Sequence, residues 1–198
     1  MELKTGYKQT EIGVIPSDWE VKEIGNEIDL LTGFPFPSSK YSIVGIRLLR
    51  GSNIKRGVTD WAEEITQYWE RITPALKEYI LHEKDIVIAM DGSLVGRSFA
   101  QLSSNDLPAL LLQRVARVRS KKIDIGYLKE FICSEYFTKH CDAVKTSSAI
   151  PHISPLDIRK FKIPLPPPLA EQTAIATALS DTDQYITHLE KLIAKKRN

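Results

Sequence analysis

The spacing of hydrophobic and polar positions changes character once along this chain, at a run of prolines. Before it, short apolar or alternating runs recur between Gly, Asp and Pro residues, the pattern of strands and turns; after it the period is helical to the end. Trp19-Glu-Val21 begins a short strand, and residues 46–50, 85–89 and 109–118 read as further strands of a twisted sheet. Asp124 is placed to cap a helix reaching about Cys141, with Tyr127, Leu128, Phe131, Ile132 and Phe137 on one broad apolar face that should pack on that sheet. A polar segment at 145–151 leads through Ser154 and Pro155 into 158–165, the last predicted strand. The predicted fold class is α/β (mixed α+β).

Pro166, Pro167 and Pro168 hold the backbone extended and disfavour helix in the residues before them. Pro168 suits a first helical position, where its missing N–H costs nothing, and Glu171 sets a negative charge against the first turn. The division is therefore a globular domain at 1–167 and a helix at 168–198. Within that helix Ile175, Leu179, Thr182, Ile186, Leu189 and Ile193 alternate spacings of four and three, which keeps one apolar seam towards a partner helix. Thr182 interrupts the seam. At ~1.5 Å per residue the helix would reach about 45 Å, too far for a compact domain to cover. The alternative is an amphipathic helix folded back on its own domain.

Composition narrows the classes. The chain has 198 residues and is 42% hydrophobic, enough for one cored domain plus an appendage. A net charge of +2 does not by itself mark a nucleic-acid binder, but the charges are unevenly placed. Lys40, Arg47, Arg50, Lys55 and Arg56 form one basic stretch free of acids, and Arg114, Arg117, Arg119, Lys121 and Lys122 form another. Such patches suit phosphate contact and equally suit solvated sheet faces. No run is apolar enough to span a membrane and no signal core follows the first lysine, so the cytoplasm is the expected location. Cys133 and Cys141 fall about two turns apart in one predicted helix, too far for an easy disulfide, so reduced thiols are expected. His82, His140, His152 and His188 are scattered, and no metal site is predicted.

Catalytic patterns fail on inspection. The segment Gly92-Ser-Leu-Val-Gly-Arg-Ser98 has three residues between its glycines where a nucleotide-binding loop has four, and Arg97 where that loop has lysine. What remains is a turn with the Ser93 hydroxyl and the Arg97 guanidinium, suited to phosphate or guanine and equally to a plain hairpin turn. No serine-hydrolase elbow, zinc-protease pair or adenine-methylating tetrapeptide occurs. The chain is expected to be non-catalytic.

Residues 165–181, L-P-P-P-L-A-E-Q-T-A-I-A-T-A-L-S-D, resemble the start of a conserved helical region in specificity subunits of type I restriction-modification systems. Residues 7–21, Y-K-Q-T-E-I-G-V-I-P-S-D-W-E-V, are similar to the usual opening of such subunits, and 48–54, 85–93 and 148–155 are weaker phrases of the same kind. The resemblance spans nearly the whole chain. It departs in one respect: family members commonly carry two target-recognition domains and two helical regions, and one of each is found here.

The resemblance implies a subunit that reads double-stranded DNA and lends its choice of site to methyltransferase subunits, with restriction subunits joining for cleavage. No cofactor is expected on this chain; S-adenosylmethionine would sit on the partner methyltransferase. Base readout needs forked donors and amides, and positioning needs point charges. Arg50, Asn53, Arg97, Gln113 and Arg114 are the candidates for base edges, with Ser93 beside them, and Lys55, Arg56, Lys145, Thr146 and Ser148 for phosphates. Ile175, Leu179, Ile186, Leu189 and Ile193 are the candidate helix–helix interface of a homodimer whose target would be a gapped palindrome. The competing reading is a protein-interaction module of the same fold that reads no DNA.

Overall fold

The computed structural model describes residues 5–197. Its strands are β1 (Tyr7–Thr10), β2 (Gly13–Pro16), β3 (Glu20–Glu23), β4 (Asp29–Thr32), β5 (Ile46–Leu49), β6 (Arg56–Gly57), β7 (Gln67–Trp69), β8 (Ile86–Ala89), β9 (Phe99–Gln101), β10 (Ala109–Leu111), β11 (Val115–Arg119) and β12 (Lys162–Leu165). The helices are α1 (Ile125–Ile132), α2 (Glu135–Val144), α3 (Pro155–Arg159) and α4 (Leu169–Arg197). The mixed α/β class is as expected.

A five-stranded sheet, ordered β4-β11-β8-β9-β6, forms the centre, and a three-stranded sheet, β10-β5-β7, lies against it. Strand β8 is buried at all four positions because it sits mid-sheet and is covered on both faces. Alternation sends Ile86 and Ile88 to a core shared with α1, α2 and α3, and Val87 and Ala89 to a second core shared with Leu49, Ala109 and Leu111 of the smaller sheet. Beyond that sheet Leu48 and Leu110 join Phe36 and Leu76 in a third cluster. Hairpin β1–β2 and the pair β3–β12 complete the body.

Three expectations need correction. The run 109–118 is two strands in two sheets, because Gln113 and Arg114 turn the chain and Arg114 adopts a left-handed φ of 67°. The helix expected from Asp124 to Cys141 is two helices. Asp124 caps α1 by accepting from Tyr127 N at 2.9 Å, and Ser134 caps α2 by accepting from Tyr136 N at 3.2 Å. Cys133 and Cys141 thus lie on either side of a break; both are free thiols, and burial pushes each up to about 12. The segment 158–165 is not all strand: Ser154 and Asp157 form a capping box, Pro155 sits at the first position of α3, and only 162–165 pair, with β3.

Helix α4 begins where the prolines place it. Its first turns are fastened to the body by Gln172, whose side-chain carbonyl accepts from Asp124 N at 3.0 Å while its amide donates to Pro166 O at 2.8 Å. Gln172 and Ala176 are its buried residues. From 181 to 197 every residue is exposed, Tyr185, Ile186, Leu189, Leu192 and Ile193 included. The fold-back alternative does not hold for that distal part. Ile175 is the exception among the seam candidates, since it packs half-buried against the body's own core.

Candidate nucleic-acid interface

Register decides which loops meet. The pairings Leu111↔Leu49, Ala116↔Thr32, Val115↔Ala89, Ile88↔Phe99 and Arg56↔Phe99 require β4, β5, β8 and β10 to finish, and β6, β9 and β11 to begin, at one end of the two sheets. The segments at 50–56, 90–98 and 112–114 therefore emerge together. Gly33 makes the junction possible: a Cβ there would lie 2.1 Å from Leu112 O, and this close approach lets Phe34 N donate to Leu111 O at 3.0 Å and Gln113 N to Phe34 O at 2.9 Å. The segment 145–153 joins the same end, where Ile153 N donates to Met90 O and Gly92 N to Pro151 O. Gly96, at φ 78°, lets the 92–97 turn press on α2, since a Cβ there would lie 2.6 Å from that of Cys141.

The turn and the segment bring Arg97, Arg114, Lys145, Thr146 and Ser148 together around two carboxylates, with Ser93 and Gln113 on the adjoining turns. Asp142 takes Arg97 in a two-pronged pair, Nη1 to Oδ1 at 3.0 Å and Nη2 to Oδ2 at 2.8 Å, and accepts Lys145 Nζ at 2.6 Å. Those bonds from Arg97, then from Lys145, hold its carboxyl well below the usual carboxylate range. Asp91 takes Arg114 Nη1 at 3.0 Å with one oxygen and meets His152 Nδ1 with the other. The Thr146 and Ser148 hydroxyls lie 3.1 Å apart; Thr146 Oγ1 accepts from His152 N and Ser148 donates to Ile150 O. Ser93, Gln113 and Arg114 are exposed.

A second strip lies beside it. Lys55 Nζ donates to Ser52 O at 2.9 Å and stands 3.7 Å from Asp60; Arg56 pairs with Glu135 at the start of α2 and lies over the Phe99 ring at 5.8 Å. Arg50 is half-buried, its head directed to Ile65 O. Asn53 is the one candidate the structure removes from the surface. It is fully buried, its Oδ1 accepts from Arg50 N at 3.1 Å and its Nδ2 donates to Asp60 O at 2.9 Å, so its amide shapes the loop and has no face for a base. The spacing of Asn53 after Arg50 carried a local turn signal that base-reading chemistry obscured.

The partners Asp91, Glu135, Asp142 and His152 were not foreseen. Asp91 and His152 stand in the phrases 85–93 and 148–155, so their neighbourhood was visible; their pairing is a tertiary fact. The arrangement can present forked cations, hydroxyls and an amide to a polyanion, several already oriented by carboxylates. Among the described residues, no group of His, Cys, Asp and Glu is placed to hold a metal ion and no helix is long and apolar enough to cross a membrane.

At the opposite end of the central sheet, Lys84, Gln101 and Asp124 line a groove with Thr173, Thr177 and Asp181 of α4. The long helix thus leaves the body away from the cluster.

Comparison with known proteins agrees with the reading of 7–21 and 165–181. A family model described as "Type I restriction modification DNA specificity domain" matches residues 16–196. The type I restriction enzyme EcoAI specificity subunit of Escherichia coli is 33% identical over 183 residues, covering 90% of this chain and 31% of that protein. The MjaVIII specificity subunit of Methanocaldococcus jannaschii is 33% identical over 184 residues, covering 91% and 43%. The chain thus spans less than half the length of these curated relatives. The fold is shared with the HsdS subunit from Thermoanaerobacter tengcongensis, at a TM-score of 0.64 and 18% identity over 94% of this chain and 42% of that one. It is shared also with the type I restriction-modification system S subunit from M. genitalium, at 0.61 and 17% over 100% and 45%. By the extent of the family match and the two relatives, the chain belongs to the family of type I restriction-modification DNA specificity domains.

Proposed function

We propose that this chain chooses the DNA sequence at which a type I restriction-modification complex acts, reading one half of a gapped target and performing no chemistry itself. One observation carries the reading: the strand registers gather the exposed forked and polar side chains at one end of the sheets, while α4 leaves from the other. A duplex and a partner protein can then be engaged at once without competing for surface. In this reading Arg97, Gln113 and Arg114, with Arg50 and Ser93 beside them, face base edges, and Lys55, Arg56, Lys145, Thr146 and Ser148 face phosphates. Asp142 holds Arg97 and Lys145 until a phosphate or base competes for them.

The exposed seam Leu179, Ile186, Leu189 and Ile193 pairs with a second copy of this helix, and the methyltransferase subunits dock along the resulting rod, with restriction subunits joining them. S-adenosylmethionine belongs to the methyltransferase, where the adenine is extruded and modified. The complex works in the cytoplasm. The test is co-expression with a methyltransferase subunit from the same operon in a host lacking the system, followed by genome-wide mapping of modified adenines. New methylation confined to one gapped palindrome is the expected result. No new methylation, with the partner folded and cofactor present, would overturn the reading and favour a protein-interaction module.

A further inference from the structure

Arg97 and Arg114 are both arginines on turns at the reading end, yet they are held differently. Arg97 spends both terminal nitrogens on Asp142, so its fork is closed from within the protein. Arg114 meets Asp91 through Nη1 alone, and its side chain stays 68% exposed. Among the described residues no other acceptor meets that guanidinium. The carboxylate beneath it is fixed, because Asp91 is only 18% exposed in its side chain, its second oxygen is held against His152 Nδ1, and its backbone bridges that of His152. The backbone of Arg114 is also constrained: a φ of 67° is one that L residues with a Cβ avoid at roughly 1–2 kcal/mol, and Met90 N fixes it by donating to Arg114 O at 2.9 Å. A strained backbone under an exposed cation that is ion-paired on one side motivates a functional reading of the position.

We propose that Asp91, oriented by His152, is a positioning residue that presents the free edge of the Arg114 guanidinium to a guanine in the major groove. This rests on the DNA-reading function proposed above and names the base and the device. Two parallel donors meet O6 and N7 of guanine only when the fork is held in plane with the base. A flexible arginine would find phosphates as readily, and a carboxylate on one side removes that freedom while repelling phosphate from the same side.

The assembled complex, full chain with its methyltransferase subunit, is used to select duplexes from a randomised pool, and salt dependence is measured on the selected target. With the wild type, one guanine position should depend on Arg114. Arg114→Lys keeps the charge but not the fork and should lose discrimination at that base pair by on the order of tenfold. Asp91→Asn should lose it at the same base pair, with discrimination elsewhere and the salt slope unchanged, since the number of phosphates contacted is the same. The double variant should be no worse than Arg114→Lys alone, as two members of one device require. If Asp91→Asn fails to fold, His152→Gln, at a half-exposed position, should blur the same base pair.

Discrimination unchanged in Asp91→Asn or His152→Gln while Arg114→Lys abolishes it would overturn the positioning role, and so would a uniform loss across all positions. An unchanged Arg114→Lys would overturn the assignment of the arginine. A wild-type complex that selects no sequence would sink the DNA-reading function itself, a failure distinguishable from these.

Discussion

Phe137 and Leu189 are both large apolar side chains on amphipathic helices. Phe137 is fully buried, with Phe99, His140 and Phe161 around it, whereas Leu189 keeps 39% of its surface open. The body supplies its own partners for α1 and α2, whereas along the distal part of α4 it offers polar neighbours such as Lys129 and buries no residue from 181 to 197. What separates them is the covering surface: the body lays one over Phe137 and lays none over Leu189. A chain can thus encode a complete core and an open helix face with the same alphabet.

The sharpest way to break this comparison is Phe137→Ala. It should lower the body's unfolding free energy by about 3–5 kcal/mol, read from denaturant midpoints, while Leu189→Ala under dilute conditions should be nearly silent. Equal losses would mean that the distal helix folds onto the body after all. Next in size is Gln172→Leu at the boundary of the two regions, which leaves Asp124 N and Pro166 O without their partners and should destabilise by about 1–3 kcal/mol. Hydrogen exchange should then show the first turns of α4 opening independently of the sheets.

Acid probes the body in a third way. Burial would lift the Asp106 carboxyl, but hydrogen bonds from Thr59, from the Trp61 indole at 2.9 Å and from the Ser103 hydroxyl and N–H at 2.7 Å hold it below the ordinary carboxylate range. A depressed folded value contributes stability that is present above the unfolded pKa of about 4 and is lost as pH falls through the folded one. The stability gap between wild type and Asp106→Asn should accordingly be constant near neutrality and narrow below about pH 4; a gap that widens on acidification would contradict the hydrogen-bond cluster. The smallest effect on the body belongs to the paired change Ile186→Glu and Leu189→Glu, within about 0.5 kcal/mol for residues that pack on nothing in the core. In sedimentation the same pair should abolish self-association, and a variant that still dimerises would remove the seam from its proposed role.

Much of the architecture was legible because strong local chemistry agreed with the tertiary result: the prolines before α4, the short apolar runs of β5 and β8, the Asp124 cap. The errors have local causes. Gln113 and Arg114 carry no turn signature, so the break between β10 and β11 is imposed by Gly33 and the sheet crossing rather than announced. Ser134 was a readable cap that a broad apolar face outweighed, and the Ser154–Asp157 box one that the strand-like run after it outweighed. At this loop end of the sheets, sequence could nominate cations but not their keepers, since the ion pairs of Asp142 with Arg97 and of Asp91 with Arg114 join residues far apart in the chain. Asn53 shows the converse hazard: a residue type apt for bases was needed three positions away by its own backbone.

The left-handed backbone at Arg114 has an evolutionary corollary. Glycine accepts that conformation without strain and asparagine more readily than most residues, so Arg114→Gly or Arg114→Asn should fold as well as the parent or better. Selection for thermal robustness alone would discard this arginine early; its retention in a lineage would record selection for recognition.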